Sequence, residues 1–506
     1  MQESKLKIGW AEESLVPDKK VSLVGQFFER ISQYVESPVT VTACALEACD
    51  DSAILLSVDI ISLQEELIDQ IRGEFSKICP EVDPEKLILF ATHTHTSIGA
   101  RPDAKSKEAV SLGAVSRVLE EFFPEGMLYV PSAVADESVM TPEEGALLVA
   151  KKAALAAKRA WESRQEAYYA NEFGRAAVGM CRRVSYDDGS GQMWGDTNTA
   201  NFTALEGGND SGVELLYTFD KNKKLTGVWA NIACPAQILE QRSIISADYW
   251  GRVRAILREK LGEDIYLLSM CGAGGDQCPR DLVRWVNPET PIDDPNVSRP
   301  HYIPRKADPS MYDVSGCNKV GKRIANEILS VYEEITEYFD DPIFKHETIH
   351  LNLPLRKATM EQYQDAIRQI EYYIDKNKDK DGFDFSDTAK MHVYAGTVQR
   401  FRQQQYTEVV PIEYHVLRLG DICVTTNPFE LFLDYGNRIK ARSWAKQTFI
   451  AQLCCGSLGY LPTEKAEKAG HYSAYISSGQ VGHEGGDLLV RDSLAHINKM
   501  FEEETV

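Results

Sequence analysis

The sequence lacks the features of a secreted, membrane-spanning or zinc-finger protein. No apolar stretch approaches the roughly 20 residues that a membrane-spanning helix needs. The opening MQESKLKIGW does not have the basic and then apolar pattern of a signal peptide, although a leader removed earlier would leave the same sequence. The 11 cysteines are an odd number without a CxxC pair, which argues for reduced thiols. These absences predict a cytoplasmic protein with no integral membrane segment.

Positive charge is also scarce. The chain has 55 Lys and Arg residues against 76 Asp and Glu residues, so its net charge is −21. Such a chain repels phosphate backbones and anionic bilayers, and no basic cluster offsets this charge. We therefore expect a small-molecule substrate and no nucleic acid partner, and the oligomeric state is left open.

The composition is that of an ordinary globular protein, with 43% hydrophobic residues over 506 residues. Residues 51–59 and Leu87–Ala91 resemble buried strands, and the intervening 64–77 has the apolar spacing of a helix, which together predict a βαβ unit. Thr141 and Glu144 form a capping box before a long Ala-rich helix. With no repeat or linker, we expect one large α/β (mixed α+β) domain over residues 1–506, with mixed sheets flanked by helices.

Two segments interrupt this pattern. Seven of the 21 prolines lie between Pro279 and Pro309, a density that helices and central strands do not tolerate. We expect a long irregular insertion over about 279–315 that borders a site. Two helical segments flank a charged hinge over about 358–405, which predicts a helical hairpin.

The segment ATHTHTS is the strongest local signal for chemistry, because it directly follows a predicted strand. In an extended chain, residues two apart point to the same side, so His93 and His95 can face one ion or one reacting group. The alternative is a pair of surface histidines at the end of a strand.

A second candidate is the glycine-rich turn in SMCGAGGDQCPR. The third glycine of a GxGxxG motif would fall at Gln277, and no GK[ST] follows, so a dinucleotide or phosphate loop is not expected. The turn instead presents Asp276 and Cys278 at the end of a strand, where open α/β sheets place their chemistry. The alternative is that Asp276 caps the turn and Cys278 is a small buried hydrophobe.

Three late residues are weaker candidates by themselves. Glu430, in TNPFELFLDYG, is expected in the first turn of a helix, where a carboxylate is favoured whether or not it faces a site. Tyr460 and Tyr472 lie in Gly/Pro-rich loops, where tyrosines are common.

Taken in order, these pieces resemble the catalytic domain of the neutral/alkaline non-lysosomal ceramidase superfamily over nearly its whole length. The family's C-terminal immunoglobulin-like domain is expected to be absent. The matching segments are IGWAEE, SVDIIS, ATHTHTS, the RR of MCRRVSYDDG, GVWANIACPAQ, SADYWG, GAGGDQCPR, NPFELFLDYG, GYLPT, HYSAY and EGGDLLVRDSLAHIN.

The resemblance implies a zinc ion that activates a water for attack on an amide. Matched motif by motif, it makes His93, Glu430 and Tyr460 metal ligands. It places His95 beside the substrate carbonyl. Arg182 and Tyr472 match groups that contact the substrate or its developing oxyanion. Such an ion lowers the pKa of water and polarises a carbonyl.

Two positions depart from the family. Its second zinc histidine falls here on Pro235, which has no ligating side chain, and the family's GDxSP serine is Cys278. The missing ligand could be replaced by one of four nearby residues, namely Cys234, Gln237, His95 and Asp248.

The leading hypothesis is therefore a metal-dependent hydrolase of an amide or related acyl bond. The departures favour a soluble amide, an ester or a glycoconjugate over ceramide. The first alternative is a non-catalytic binding protein on the same scaffold. The second is a cysteine nucleophile at Cys278, which would need a histidine that the sequence does not place nearby.

Overall fold

The computed structural model describes residues 5–102, 118–129, 136–283 and 313–502. Within these ranges, the α-helices are α1 Glu65–Ile78, α2 Pro142–Glu162, α3 Asp248–Leu261, α4 Asp313–Glu333, α5 Met360–Lys376, α6 Phe385–Gln403, α7 Leu433–Lys440, α8 Glu464–Ala469 and α9 His483–Glu502. None of the described helices combines the length and apolar character needed to cross a bilayer.

The described strands are β1 Lys7–Ser14, β2 Lys20–Val21, β3 Thr40–Ala48, β4 Asp51–Val58, β5 Leu87–Ala91, β6 Val139–Met140, β7 Gln165–Arg175, β8 Met180–Cys181, β9 Arg183–Tyr186, β10 Gly191–Met193, β11 Phe202–Leu205, β12 Gly212–Asp220, β13 Leu225–Ile232, β14 Tyr266–Cys271, β15 Gln277–Cys278, β16 Phe344–Pro354, β17 Val409–Leu419, β18 Ile422–Thr426, β19 Glu430–Leu431, β20 Gln447–Ala451 and β21 Tyr460–Leu461. Seven of them, β7 to β13, follow one another between α2 and α3.

Eight strands form the main mixed sheet, in the order β14-β13-β12-β7-β1-β3-β4-β5. Its strands β4 and β5 run parallel and are joined by α1, as the sequence predicts. Helix α1 buries Leu67, Ile68, Ile71 and Phe75, which lie at helical spacing. The sheet is completed at its other edge by the parallel pair β13 and β14.

The second large sheet has four strands in the order β16-β17-β18-β20, with β18 and β20 parallel. Side chains of both large sheets share one hydrophobic core, in which Leu55 and Phe90 lie together with Leu417 and Phe449. Because this core is continuous, the chain folds as a single mixed α/β domain, as expected.

The structure describes the predicted helical hairpin but only part of the proline-rich insertion. Most of the proline-rich insertion, residues 284–312, lies outside the described residues. In the second segment, α5 and α6 are consecutive helices joined by a short connection. A separate hydrophobic cluster joins these helices, with Ile370 packed in the same cluster as Val398. The capping box of Thr141 and Glu144 is present at the start of α2.

Candidate functional site

His93 lies just after β5, in a backbone conformation that the sequence did not suggest. The expected extended run ends at β5, and His93 has φ 60°, in the left-handed region. Its ring still meets that of His95, edge to face, with centroids 4.8 Å apart. His93 Nδ1 is 2.7 Å from the carbonyl oxygen of Ile61, and this nitrogen donates because a carbonyl only accepts. The remaining nitrogen, Nε2, therefore faces the site.

Glu430 and Tyr460 are brought together by two short strands. Strand β19 pairs in parallel with β21, so that Glu430 lies beside Tyr460 in the register. The expectation that Glu430 begins a helix was wrong, because α7 starts only at Leu433. The carboxylate oxygen Oε2 of Glu430 lies 3.4 Å from His93 Nε2. Three of the sequence-predicted residues thus meet in one buried place.

Arg182 supplies the positive charge at this place. Its Nη2 donates to the carbonyl oxygen of Gly275 at 2.9 Å and to the Tyr460 hydroxyl at 3.3 Å. The same nitrogen lies 4.0 Å from Glu430 Oε2. Burial acts to lower the pKa of Arg182, but Tyr460 and Glu430 outweigh it and raise the pKa. The guanidinium therefore remains charged next to the carboxylate.

The electrostatics of Glu430 match this arrangement. Burial acts to raise the pKa of Glu430, yet the charges of His93 and Arg182, with hydrogen bonds from His93 and Tyr460, lower it overall. The carboxylate is consequently ionised at neutral pH although it is almost completely enclosed. A buried anion of this kind is stable only beside compensating cations.

The glycine-rich turn after β14 supports Glu430 through its backbone. A Cβ atom on Gly275 would lie 2.2 Å from the carbonyl oxygen of Glu430, so only glycine fits there. The Gly275 amide also donates to the Leu431 carbonyl at 2.8 Å. Asp276 accepts from the Leu433 amide through Oδ1 at 2.9 Å. The turn thus holds β19 in place, and Asp276 caps the chain that enters α7.

Tyr472 and Trp194 complete the aromatic side of the site. The rings of Tyr472 and Tyr460 are 5.5 Å apart, edge to face. The Trp194 ring has the Arg182 guanidinium 5.9 Å from its centroid and that of Arg280 at 4.7 Å. Arg182 and Tyr472, which the resemblance assigns to substrate contacts, thus both lie against Tyr460.

His95 has a partner that the sequence did not reveal. Both of its ring nitrogens are buried without a hydrogen-bond partner, and Nδ1 lies 3.5 Å from Glu240 Oε2. Burial, followed by the charges of His93, Arg30 and Arg182, holds the pKa of His95 well below its usual value. Burial also raises the pKa of Glu240. No motif marks Glu240, because it lies in the irregular segment between β13 and α3.

The residues that could replace the missing family histidine differ in whether they contact a residue of the site. Gln237 Oε1 accepts from Arg182 Nη1 at 3.3 Å and so borders the site. Asp248 instead caps backbone, with Oδ2 accepting from the Leu239 amide at 2.8 Å and Oδ1 from the Tyr249 amide at 2.7 Å. Burial raises the pKa of Cys234 well above the ordinary thiol range. Of these, Gln237 is the one bonded to a site residue.

Cys278 lies in β15, which pairs with β8 next to Arg182. Its Sγ is 3.2 Å from the carbonyl oxygen of Arg280. Burial raises the pKa of this thiol to about 12, despite opposing effects of Arg182 and Arg280. The neutral thiol therefore predominates at neutral pH.

The separation of His93 Nε2 and Glu430 Oε2 is compatible with two kinds of bridge. With Nδ1 donating to Ile61, a proton on Nε2 would donate to Glu430, whereas a bare Nε2 would offer a lone pair to an ion. Two N and O ligands of a tetrahedral zinc ion, each about 2.1 Å from it, lie roughly 3.4 Å apart. His93 and Glu430 therefore have the spacing of two zinc ligands. Tyr460 lies beside Glu430 in the strand register, and Pro235 offers no ligating side chain.

A second cluster, separate from these residues, also contains ligand atoms that could hold a metal ion. Glu413, His415 and Cys455 converge so that one ligand atom of each lies within 4.8 Å of the others. Glu413 and His415 are two apart on β17 and share a face of the strand. We call these three residues the thiol cluster.

No protein-family model matches the sequence, and no curated protein matches it significantly. Solved structures do. The neutral ceramidase from Pseudomonas aeruginosa aligns with a TM-score of 0.65 at 12% identity, over 98% of this chain and 75% of the other. A ceramidase complexed with C2 aligns with a TM-score of 0.63 at 11% identity, over 99% of this chain and 76% of the other. The fold that the sequence resemblance predicts is thereby confirmed: the chain has the fold of these two ceramidases.

Proposed function

We propose that the protein is a metal-dependent hydrolase of an amide or related acyl bond, acting at the site formed by His93, Glu430 and Tyr460. The fold supports this proposal, because the similar structures are ceramidases. The observation that carries it is the approach of His93 Nε2 to Glu430 Oε2, 3.4 Å apart, a separation that one proton or one metal ion can bridge. Metal analysis of the purified protein distinguishes these two bridges.

Zinc is the ion that this donor set favours, because an imidazole nitrogen, a carboxylate and a phenol oxygen are ligands it accepts. When bound, zinc would lower the pKa of a water and polarise the scissile carbonyl. His93 would hold it through Nε2, because its Nδ1 donates to Ile61. This hydrogen bond to the Ile61 carbonyl fixes the orientation of the ring, as such bonds do for the histidine ligands of metal sites.

The other residues have roles that follow from charge. Arg182, anchored by Gly275, points a fixed cation toward the place where negative charge would develop on a substrate oxygen. Tyr472, whose ring packs edge to face on that of Tyr460, offers a hydroxyl as a second donor. His95, held neutral by burial, keeps one ring N–H that can donate to a substrate oxygen. We propose that these three residues position the substrate and stabilise its oxyanion.

The substrate proposed here is a soluble amide, ester or glycoconjugate. The net charge of −21 opposes approach to an anionic bilayer, where a membrane lipid would be met. The proline and cysteine at positions 235 and 278 also replace two polar family side chains, so contacts with a substrate would differ.

The proposal is tested by measuring the metal content and the hydrolytic activity of the purified native protein and of its Glu430→Gln variant. We expect bound zinc in the native protein, loss of hydrolysis of model amides after chelation, and recovery when zinc is added back. Glu430→Gln should lower both metal content and turnover, the latter by a hundredfold or more if the ion activates the water. The matched control is Glu408→Gln, which changes an exposed carboxylate paired with Lys357.

Two results would contradict the proposal. A metal-free protein whose hydrolysis is unaffected by chelation would exclude the metal mechanism. A protein without hydrolytic activity, in which Glu430→Gln changes only ligand affinity, would indicate the non-catalytic binding protein instead.

A further inference from the structure

The thiol cluster has no part in the proposed hydrolysis, yet its hydrogen bonds are unusual for a cysteine. Three donors surround Cys455 Sγ. His415 Nε2 lies 3.2 Å away, Arg72 Nη2 3.9 Å, and the neighbouring thiol of Cys454 3.9 Å. A sulfur approached by an imidazole, a guanidinium and a thiol is stabilised as an anion.

The charged groups around this sulfur can neutralise one another. Glu413 is held by Arg72, with Oε2 accepting from Nη1 at 2.9 Å, and Oε1 lies 3.0 Å from His415 Nε2. On the other side of the ring, His415 Nδ1 lies 3.0 Å from His346 Nε2. These residues come from α1, β16, β17 and the segment after β20. They pair two cations with two anions when His415 is protonated and Cys455 ionised.

The pKa values of Cys455 and His415 agree with this geometry. Burial acts to raise the pKa of Cys455, but the hydrogen bond from Cys454 and the charge of His415 lower it to about 5. Burial acts to lower the pKa of His415, but Cys455 and Glu413 raise it to about 9. The other cysteines near the hydrolase site, such as Cys278, have raised pKa values.

The distances favour a shared proton over a metal ion. In a tetrahedral zinc site, a nitrogen lies roughly 3.4 Å from an oxygen ligand and 3.5 Å from a sulfur ligand. The corresponding distances here are 3.0 and 3.2 Å, which are hydrogen-bond lengths. Both carboxylate oxygens of Glu413 are also bonded to Arg72.

Cys455 is nearly buried, at 8% exposed, and the Arg72 and Glu413 side chains of the neighbouring ion pair are 14% and 15% exposed. A reagent therefore reaches the sulfur when the structure opens locally around Cys455.

We propose that Cys455 is a thiolate paired with His415 and is a site of thiol–disulfide exchange with low-molecular-weight disulfides. The Cys455 sulfur attacks one sulfur of the disulfide, a new S–S bond forms, and the other sulfur leaves as a thiolate with the electron pair of the broken bond. The disulfide is the only co-reactant, and the exchange needs no other oxidant.

The test is the pH profile of modification in the folded native protein. Iodoacetamide is applied between pH 4 and pH 9, and the adduct at each cysteine is quantified by peptide mass spectrometry. The rate at Cys455 should be half-maximal near pH 5 and constant above about pH 6. A neutral thiol instead reacts about tenfold faster with each pH unit until it ionises near pH 8.5. The exposed Cys49 is the comparison within the same chain.

The shape of the profile is decisive, and the rate at one pH is not, because a thiolate of low pKa is also a weaker nucleophile. His415→Gln should move the half-maximal pH of Cys455 toward the alkaline range. At pH 6, where an ordinary thiol is almost entirely protonated, oxidised glutathione should form a mixed disulfide at Cys455 that is located by peptide mass spectrometry and is absent in Cys455→Ser. If His415→Gln does not fold, the native profile alone decides. An unmodified Cys455 in the folded protein, or a rate that keeps rising to pH 9, would overturn the proposal. Neither readout depends on hydrolysis.

Discussion

Pro235 is the residue whose replacement tests the metal site most directly. It packs beside the glycine-rich turn, because a Cβ on Gly274 would lie 3.2 Å from its Cδ. We expect Pro235→His to restore a nitrogen ligand and to raise the zinc content at a fixed free zinc concentration, measured by elemental analysis and calorimetric titration. Pro411→His, at an exposed position of β17, is the control. Equal zinc binding by both variants would show that position 235 does not face the ion.

The buried carboxyl group of Asp248 predicts that the free energy of unfolding depends on pH. Burial raises its pKa from 3.8 to about 6, although the Leu239 and Tyr249 amides oppose this. The folded protein thus holds the proton more tightly than the unfolded chain, so this contribution to stability is complete below about pH 4 and is lost as the pH rises through 6. Relative to Asp248→Asn, the native protein should lose roughly 2 kcal/mol of unfolding free energy between pH 4 and pH 7. Urea denaturation of both proteins at the two pH values measures the difference, and a constant difference would contradict the assignment.

At the scale of elements, the glycine-rich turn and β19 depend on each other. Gly275→Ala would place a Cβ 2.2 Å from the Glu430 carbonyl oxygen, so β19 must move and take the Glu430 carboxylate with it. We expect loss of metal binding together with destabilisation of about 1 to 3 kcal/mol. Gly208→Ala is the matched control, because no atom lies within 4 Å of its added Cβ. Metal content and thermal denaturation of both variants check this, and unchanged metal binding in Gly275→Ala would show that Glu430 is not the ligand.

The elements predicted from the sequence are those with strong local signals. Strand β5, the apolar face of α1 and the capping box of Thr141 follow from periodicity and from cap chemistry, which are local. The strand of Glu430 was missed, because its two residues are held by the distant Tyr460 and by Gly275, and sequence neighbours carry no sign of that pairing.

Prediction of the site residues from the sequence is limited in the same way. The resemblance supplied its motif residues, and the structure brings His93, Glu430 and Tyr460 together. Glu240 and the thiol cluster carry no motif. Glu413 and Cys455 are 42 residues apart in the sequence. They meet because both approach His415 Nε2 in the folded chain. Contacts of this kind depend on the tertiary fold.

At the scale of the whole molecule, the charge of −21 predicts how the protein behaves at membranes. We expect no binding to vesicles that contain phosphatidylserine at low salt, because like charges repel over about 30 Å at 0.01 M ionic strength. Flotation with anionic and with zwitterionic vesicles measures this. Binding to the anionic vesicles that weakens with added salt would reveal a basic surface and would restore membrane lipids as candidate substrates.

The position of Trp194 between Arg182 and Arg280 has an optical consequence. Indole emission responds to nearby charge, and this ring lies against two guanidinium groups of the proposed site. A ligand that draws Arg182 toward itself would change the intensity or colour of that emission, even if no bond is broken. The chain has seven tryptophans, so the difference between the native protein and Trp194→Phe isolates the signal. The emission of Trp194 can therefore be used to screen amides and esters for binding, whether or not the protein hydrolyses them.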